Sequence, residues 1–201
     1  MIMLKVLTAL MAVLIPATVH AGPVDERGGW QPFKEELVFE AQAVEMDGPL
    51  TYWVKPSEGF VNQTAKVMED MRSPFVIANP FVFKIQLAGL TSGSSSGMLL
   101  SEDGFEEEAR KASRDELINH DYQFRCYGKY SDLAMPICSA IDDKGESAGV
   151  NLVRKGIYMR DKTFESLSSL EEKLMTEAQK TAEAEAIGIW KPFRFMLRGL
   201  Q

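Results

Sequence analysis

Cys126 and Cys138 carry the most definite chemistry in this chain of 201 residues. They are its only two cysteines, and eleven residues separate them. An even count in an oxidising compartment favours a disulfide. Two thiols at this spacing, with no histidine nearby, do not make a zinc set. A histidine-assisted nucleophile has little to work with. His20 falls in the leader described below, so His120 is the one histidine of the processed chain. Nothing around it reads as a nucleophile elbow, and its expected place is a solvated loop or helix end. Acids gather twice, at Glu102, Asp103 and Glu106 to Glu108, and in Asp142-Asp143-Lys144-Gly145. Carboxylates at this density could hold a hard cation. The simpler reading of the first group is a solvated helix start, where acids favour the dipole. The simpler reading of the second is a hairpin turn.

The oxidising compartment is read from the N-terminus. Lys5 gives a small positive region, residues 6–19 are apolar, and Val19-His20-Ala21 presents small residues where a signal peptidase reads. The apolar stretch is short for a membrane span. Cleavage is expected after Ala21, leaving Gly22-Pro23 at the front of the mature chain, with residues 1–21 as signal peptide. No cysteine near that point offers a lipid anchor, and no later segment has enough unbroken apolar residues to span a bilayer. The expected location is periplasmic or secreted. Loss of Lys5 takes the formal charge from -7 to -8, with 21 basic and 29 acidic residues. An acidic surplus argues against nonspecific grip on a phosphate backbone but leaves a local basic groove open.

The elements that must position these residues follow from periodicity. Residues 22–36, rich in Gly, Pro and charge, are expected to be an extended lead-in. Residues 37–44 and 51–54 read as strands around the turn Asp47-Gly48-Pro49. Val61, Ala65, Met68 and Met71 recur at helical spacing, so a short helix is predicted over 61–72, bounded by Pro56 and Ser73-Pro74. Residues 81–88 form the clearest strand. Ser92-Gly93-Ser94-Ser95-Ser96-Gly97 is a loop by composition. A helix should start at Ser101, with Phe105, Ala109, Ala112, Leu117 and Ile118 on its apolar face. Strands are predicted over 122–127 and 133–141, with Pro136 marking an edge or a bulge. A short helix over 151–156 stops at Gly156. A long last helix, capped by Ser166 or a neighbour, should bury Leu167, Leu170, Leu174, Ala178 and Ile187. The pattern is α+β.

Two runs in the last third carry a resemblance. They are Leu152-Val153-Arg154-Lys155-Gly156, and the end of the last helix, Ala186-Ile187-Gly188-Ile189-Trp190. They resemble the C-terminal half of the staphylococcal nuclease (thermonuclease) family, whose members carry a Leu-Val-x-x-Gly helix and a Glu/Ala-rich helix ending in Gly-x-Trp. The likeness covers residues 37–190 and is more specific after Ser101 than before it. It implies a small five-stranded OB-type barrel with about three packed helices. Residues 56–80 would be an insertion, and residues 191–201 a tail beyond the domain.

The resemblance also implies where chemistry should sit. Family members bind calcium through an Asp-Gly-Asp-Thr segment and a further aspartate. A glutamate serves as proposed general base, and two arginines hold the phosphate. Hydrolysis of a phosphodiester needs a hard cation, a base for water and guanidinium forks for developing charge. Here Asp47-Gly48-Pro49-Leu50 stands at the first segment, so Pro49 replaces a calcium carboxylate. Lys84 stands at the first arginine and keeps its charge without the fork. A strand lysine reaching solvent is the commoner outcome for such a residue. Gly89 stands at the second calcium carboxylate, and Ser92 near the general base. Lys129-Tyr130-Ser131-Asp132 stands at the family's Tyr-Gly-Arg, so the second arginine is gone and Asp132 lies nearby. Some exported relatives carry a cysteine pair flanking that segment, which supports pairing of Cys126 with Cys138.

These departures make the expected product a noncatalytic, exported binding or assembly module of the bacterial envelope, without a cofactor and with protein partners. Nucleic acid is a lesser candidate ligand. One alternative is a calcium-dependent nuclease or phosphodiesterase with a rearranged metal site. Another is an accessory component of an envelope secretion or conjugation machine. The tail mixes aromatics and cations in Phe193, Arg194, Phe195, Met196, Leu197 and Arg198, and is the expected partner-binding segment. The insertion with its methionine-bearing helix is the other addition that could carry function.

Overall fold

The computed structural model describes residues 30–91, 105–130 and 134–191. Ser92, Asp132, the predicted cap Ser101, the acids Glu102 and Asp103, and tail residues Phe193 to Arg198 lie outside the described residues.

The first strand, β1 (Trp30–Gly48), alternates inward at Leu37, Phe39, Ala41 and Ala43, as a half-buried strand must. It begins seven residues before the expected start at Leu37. Trp30, Gln31 and Pro32 pair with Tyr130, Lys129 and Gly128 across a register shift. Composition hid this segment, but Trp30 secures it. Its ring meets Phe164 edge-on at 5.3 Å and lies where a Cβ on Gly128 would sit, 2.8 Å away.

Next come β2 (Thr51–Pro56), α1 (Val61–Asp70), β3 (Val76–Ala78), β4 (Phe81–Leu87), β5 (Leu90–Thr91) and α2 (Phe105–Leu117). They are followed by β6 (Asp121–Tyr130), β7 (Pro136–Ile141), α3 (Ala148–Arg154), β8 (Met159–Arg160) and α4 (Ser169–Glu185). Strands pair in the order β2-β1-β6-β7-β4, and β4 returns to β2. The result is a closed five-stranded mixed barrel with four helices. Among the described strands, β4 and β7 pair in parallel, at Gln86–Ile137 and Leu87–Cys138. Closure removes most sheet edges. Phe39 fills the barrel between Phe83, at 5.4 Å, and Phe124, at 5.6 Å. Cys126 and Cys138, directly paired across β6 and β7, are disulfide-bonded and fully buried.

Pro136 opens β7, an interior strand. A first residue gives up no essential ladder bond, and the bulge lies opposite, in β6 between Cys126 and Gly128. The helix predicted over 61–72 ends at Asp70, and its Met68 joins the main core together with Met71.

The last helix corrects part of the sequence reading: Leu167 and Ala178 are buried as expected and Ile187 is half-buried, but Leu170 and Leu174 are not buried. Leu170 is 68% exposed and Leu174 37%, whereas Glu171, Met175, Ala178 and Ala182 are buried. Ser168, not Ser166, is the cap, accepting from the Glu171 N–H at 3.2 Å. Beyond α4 the two resemblance glycines meet. Gly156 has φ 64° and Gly188 φ 56°, a region that favours glycine. A Cβ on Gly188 would collide with the Gly156 backbone and one on Gly156 with the Ile187 carbonyl, and the Ile189 N–H donates to Gly156 O at 2.9 Å. This backbone clasp fastens the end of α3 to the end of α4. Trp190 closes it in a small cluster with Met159, Ala182 and Ile189.

Candidate functional site

At the barrel rim Asp47 meets Lys84, while Pro49 and Gly89 lie in the turns that follow β1 and β4. Trp53 and Lys84 are directly paired across β2 and β4, so their side chains share the outer face. The Lys84 ammonium lies 5.0 Å from the Trp53 ring centre and 4.6 Å from that of Phe75. It donates to Asp47 Oδ2 at 2.7 Å. The Lys84 side chain is 12% exposed, so it does not run out to solvent. Two aromatic faces and a carboxylate hold it in a box, where cation–π attraction adds to the ion pair. A phosphate approaching this lysine would have to displace Asp47.

Pro49 and Gly89 are also engaged. The Pro49 carbonyl accepts from the Tyr158 hydroxyl at 2.5 Å, and that hydroxyl lies 3.0 Å from Ser113 Oγ. Gly89 is buried with φ 67°. Its carbonyl accepts from the Asp161 N–H at 2.8 Å. A Cβ there would lie 2.6 Å from Leu167 Cδ1, so a larger residue would have to push that side chain aside and adopt a φ that favours glycine. Behind the rim, burial raises the phenol pKa values of Tyr52, Tyr122 and Tyr158. These hydroxyls stay protonated, and those of Tyr122 and Tyr158 act as donors, to Glu116 O at 2.6 Å and to Pro49 O. The Tyr52 hydroxyl is buried without a hydrogen-bond partner.

Calcium takes six to eight oxygen ligands, several of them carboxylates. Of the family positions within the described residues, Asp47 alone keeps a carboxylate, and Lys84 neutralises it. Among the described residues, no group of three or more His, Cys, Asp or Glu could hold a metal ion. The rim residues do not fit the family's cation. The described groove, about 540 Å³, lies elsewhere, lined by Glu40, Asp121, Tyr122, Asp142 and Asp143 among others. There Asp142 Oδ1 accepts from the N–H groups of Lys144, at 2.9 Å, and Glu146, at 2.7 Å, closing the turn the sequence suggested. His120 is exposed just past α2.

A polar centre escaped the sequence reading. Glu171 is 6% exposed. Its Oε1 accepts from Ser147 Oγ at 2.6 Å, and its Oε2 from Ser139 Oγ at 2.7 Å and the Tyr127 hydroxyl at 3.2 Å. Ser147 also caps α3 through the Val150 N–H. One carboxylate therefore ties α4 to β6, β7 and the start of α3. Burial, with Glu171 adding to it, pushes the Tyr127 phenol up to about 12, against the lowering effect of its Ser139 hydrogen bond. The one available signal was Ser168-Ser169-Leu170-Glu171, a capping-box spacing. It places the helix start but does not say that the glutamate turns inward.

Closed barrel, crossing order and helical clasp together define a staphylococcal nuclease-like, OB-type fold. No family model and no curated protein sequence matches the chain. Among solved structures, it is similar to the extended Tudor domain of Tudor-SN (p100) from Drosophila melanogaster. That likeness has a TM-score of 0.54 and 14% identity, covering 78% of this chain and 100% of that one. At that identity the likeness concerns the fold alone.

Proposed function

We propose that this chain is an exported, noncatalytic relative of the staphylococcal nucleases that serves as a binding or assembly module in the bacterial envelope. The observation that carries the reading is the Lys84 box. The one cation kept at a family phosphate position is spent inside the molecule, on Asp47, Trp53 and Phe75. Pro49 and Gly89 bring no carboxylate, and both are occupied by packing. Guanidinium forks and a carboxylate-held cation are what hydrolysis of a phosphodiester requires, and neither is assembled at the described rim. The leader-like N-terminus and the buried disulfide support export.

Partner binding is assigned to protein rather than nucleic acid because of the acidic surplus. Its test is a pull-down from envelope extracts with the full mature chain and with a chain truncated after Pro192. The full chain should retain specific partners, and the truncated chain should lose them while melting at nearly the same temperature. Retention of no specific partner by the full chain would count against the module reading. Unfolding on truncation would instead place the tail in the core.

A further inference from the structure

Cys126 and Cys138 lie in one row that crosses four strands of the barrel. Leu37 of β1 pairs with Cys126 of β6, Cys126 with Cys138 of β7, and Cys138 with Leu87 of β4. All four residues are buried, and neither cysteine has exposed surface. The cover continues along β6. Phe124 stacks on Phe39 to one side, and to the other the Trp30 ring lies where a Cβ on Gly128 would sit. Thiol–disulfide exchange needs a thiolate to reach one sulfur, in line with the bond that breaks. A bond running from β6 to β7 is approached in line over β1 or over β4. Leu37 and Leu87 stand in those two places. The finished barrel therefore admits neither a thiol nor a disulfide to these sulfurs.

The row is assembled from parts of unequal range. β6 and β7 are consecutive antiparallel strands, and their cysteines are 12 residues apart. Leu37 and Leu87 are roughly ninety and fifty residues from the cysteines they flank, and such long-range pairings form more slowly than local ones. We infer that the Cys126–Cys138 bond is made by exchange with an exogenous disulfide while the β6–β7 pair is still open on both flanks, and that β1 and β4 then seal it. The partner is a disulfide carrier, and this chain is its dithiol substrate. One cysteine thiolate attacks the carrier disulfide, forming a mixed disulfide and releasing the first carrier thiol. The other cysteine thiolate attacks the mixed disulfide, closing the bond and releasing the second carrier thiol. Two electrons and two protons pass to the carrier, so the cysteines are oxidised and the carrier is reduced. Once sealed, the bond is a permanent clip and not a redox switch.

This inference rests on the export proposed above, and its test reads the sulfurs directly, whether or not the module retains a partner. The oxidised mature chain is treated with dithiothreitol in buffer and in denaturant, and free thiols are titrated over time. Reduction in buffer should be at least about a thousandfold slower, because only the opened fraction reacts. A difference under about tenfold overturns the inference, since it would mean that the folded barrel admits the reductant. In the reverse direction, the reduced chain is refolded with oxidant present from the start or added after folding. Early addition should close the bond, and late addition should be slowed by a similar factor. Equal rates in a reduced chain that has folded overturn the inference. If the reduced chain does not fold, the reduction series decides, because exchange passes through the same open state in both directions. The oxidant is oxidised glutathione in one arm and an oxidised Cys-x-x-Cys protein in the other. Bond formation in the first arm makes a small disulfide sufficient as the source, and formation in the second alone assigns a protein carrier. No bond in either arm overturns the inference.

Discussion

The glycine clasp and the Lys84 box occupy resemblance positions of one fold, yet their residues have fared differently. At the clasp, Gly156 and Gly188 both lie where backbone leaves no room for a Cβ, that of Ile187 for the first and that of Gly156 for the second. Any side chain would separate α3 from the end of α4. At the rim, Pro49, Lys84 and Gly89 occupy places where the barrel needs only a turn, a strand residue and a tight bend. The architecture there does not depend on the chemistry that the resemblance implies. Constraint from packing and constraint from reaction are therefore separable within one domain. The motifs that make this chain resemble nucleases belong to the first kind.

The comparison can be broken or sharpened by substitution. Gly188→Ala should have the largest effect, about 4 kcal/mol or more, since positive φ strain adds to a backbone collision. Chemical denaturation would measure it, and a loss under about 1 kcal/mol would mean that the clasp opens freely. Glu171→Ala should cost about 3 kcal/mol by taking the acceptor from two buried serine hydroxyls and the part-buried Tyr127 hydroxyl. Glu171→Gln, which keeps an acceptor, should cost roughly half as much. Equal losses for the two would remove the hydroxyl argument.

Alkaline pH gives a further test. Tyr127 is raised to about 12 in the fold and ionises near 10 when unfolded. Its contribution is full below pH 10 and is lost as pH rises toward 12, at about 1.4 kcal/mol per unit. Tyr52, Tyr122 and Tyr158 shift in the same direction. Stability should hold from pH 7 to 9 and fall above 10; a flat profile to pH 12 would contradict the burial assigned to these phenols. Asp47→Asn should have the smallest effect, at most about 1 kcal/mol and less in high salt, because Asp47 is 45% exposed. A larger loss would make the box a fold determinant rather than a repurposed surface.

Strands 37–44, 51–54 and 81–88 and the helix over 61–72 were legible because alternation and helical spacing report burial directly. Gly156 was legible as a helix stop, and Gly188 only as part of the run that carries the resemblance. The β1 extension from Trp30 was not, because its partners lie about a hundred residues away at Tyr130, Lys129 and Gly128. Leu167 and Ala178 were placed correctly; Leu170 and Leu174 were misread because they look buried by type, whereas Glu171 is buried by virtue of donors 24, 32 and 44 residues distant. The loss of family carboxylates at Pro49 and Gly89 could be read from residue types. That Lys84 is boxed by Asp47, Trp53 and Phe75 could not, since the box is assembled from β1, β2 and the insertion.

The most direct test is cleavage of DNA and RNA by the purified mature protein across a calcium titration, beside a mock preparation. No calcium-stimulated hydrolysis above the mock is expected, with or without chelator. Robust cleavage that a chelator abolishes would contradict the account, because it would require a metal site and base that the rim residues do not supply.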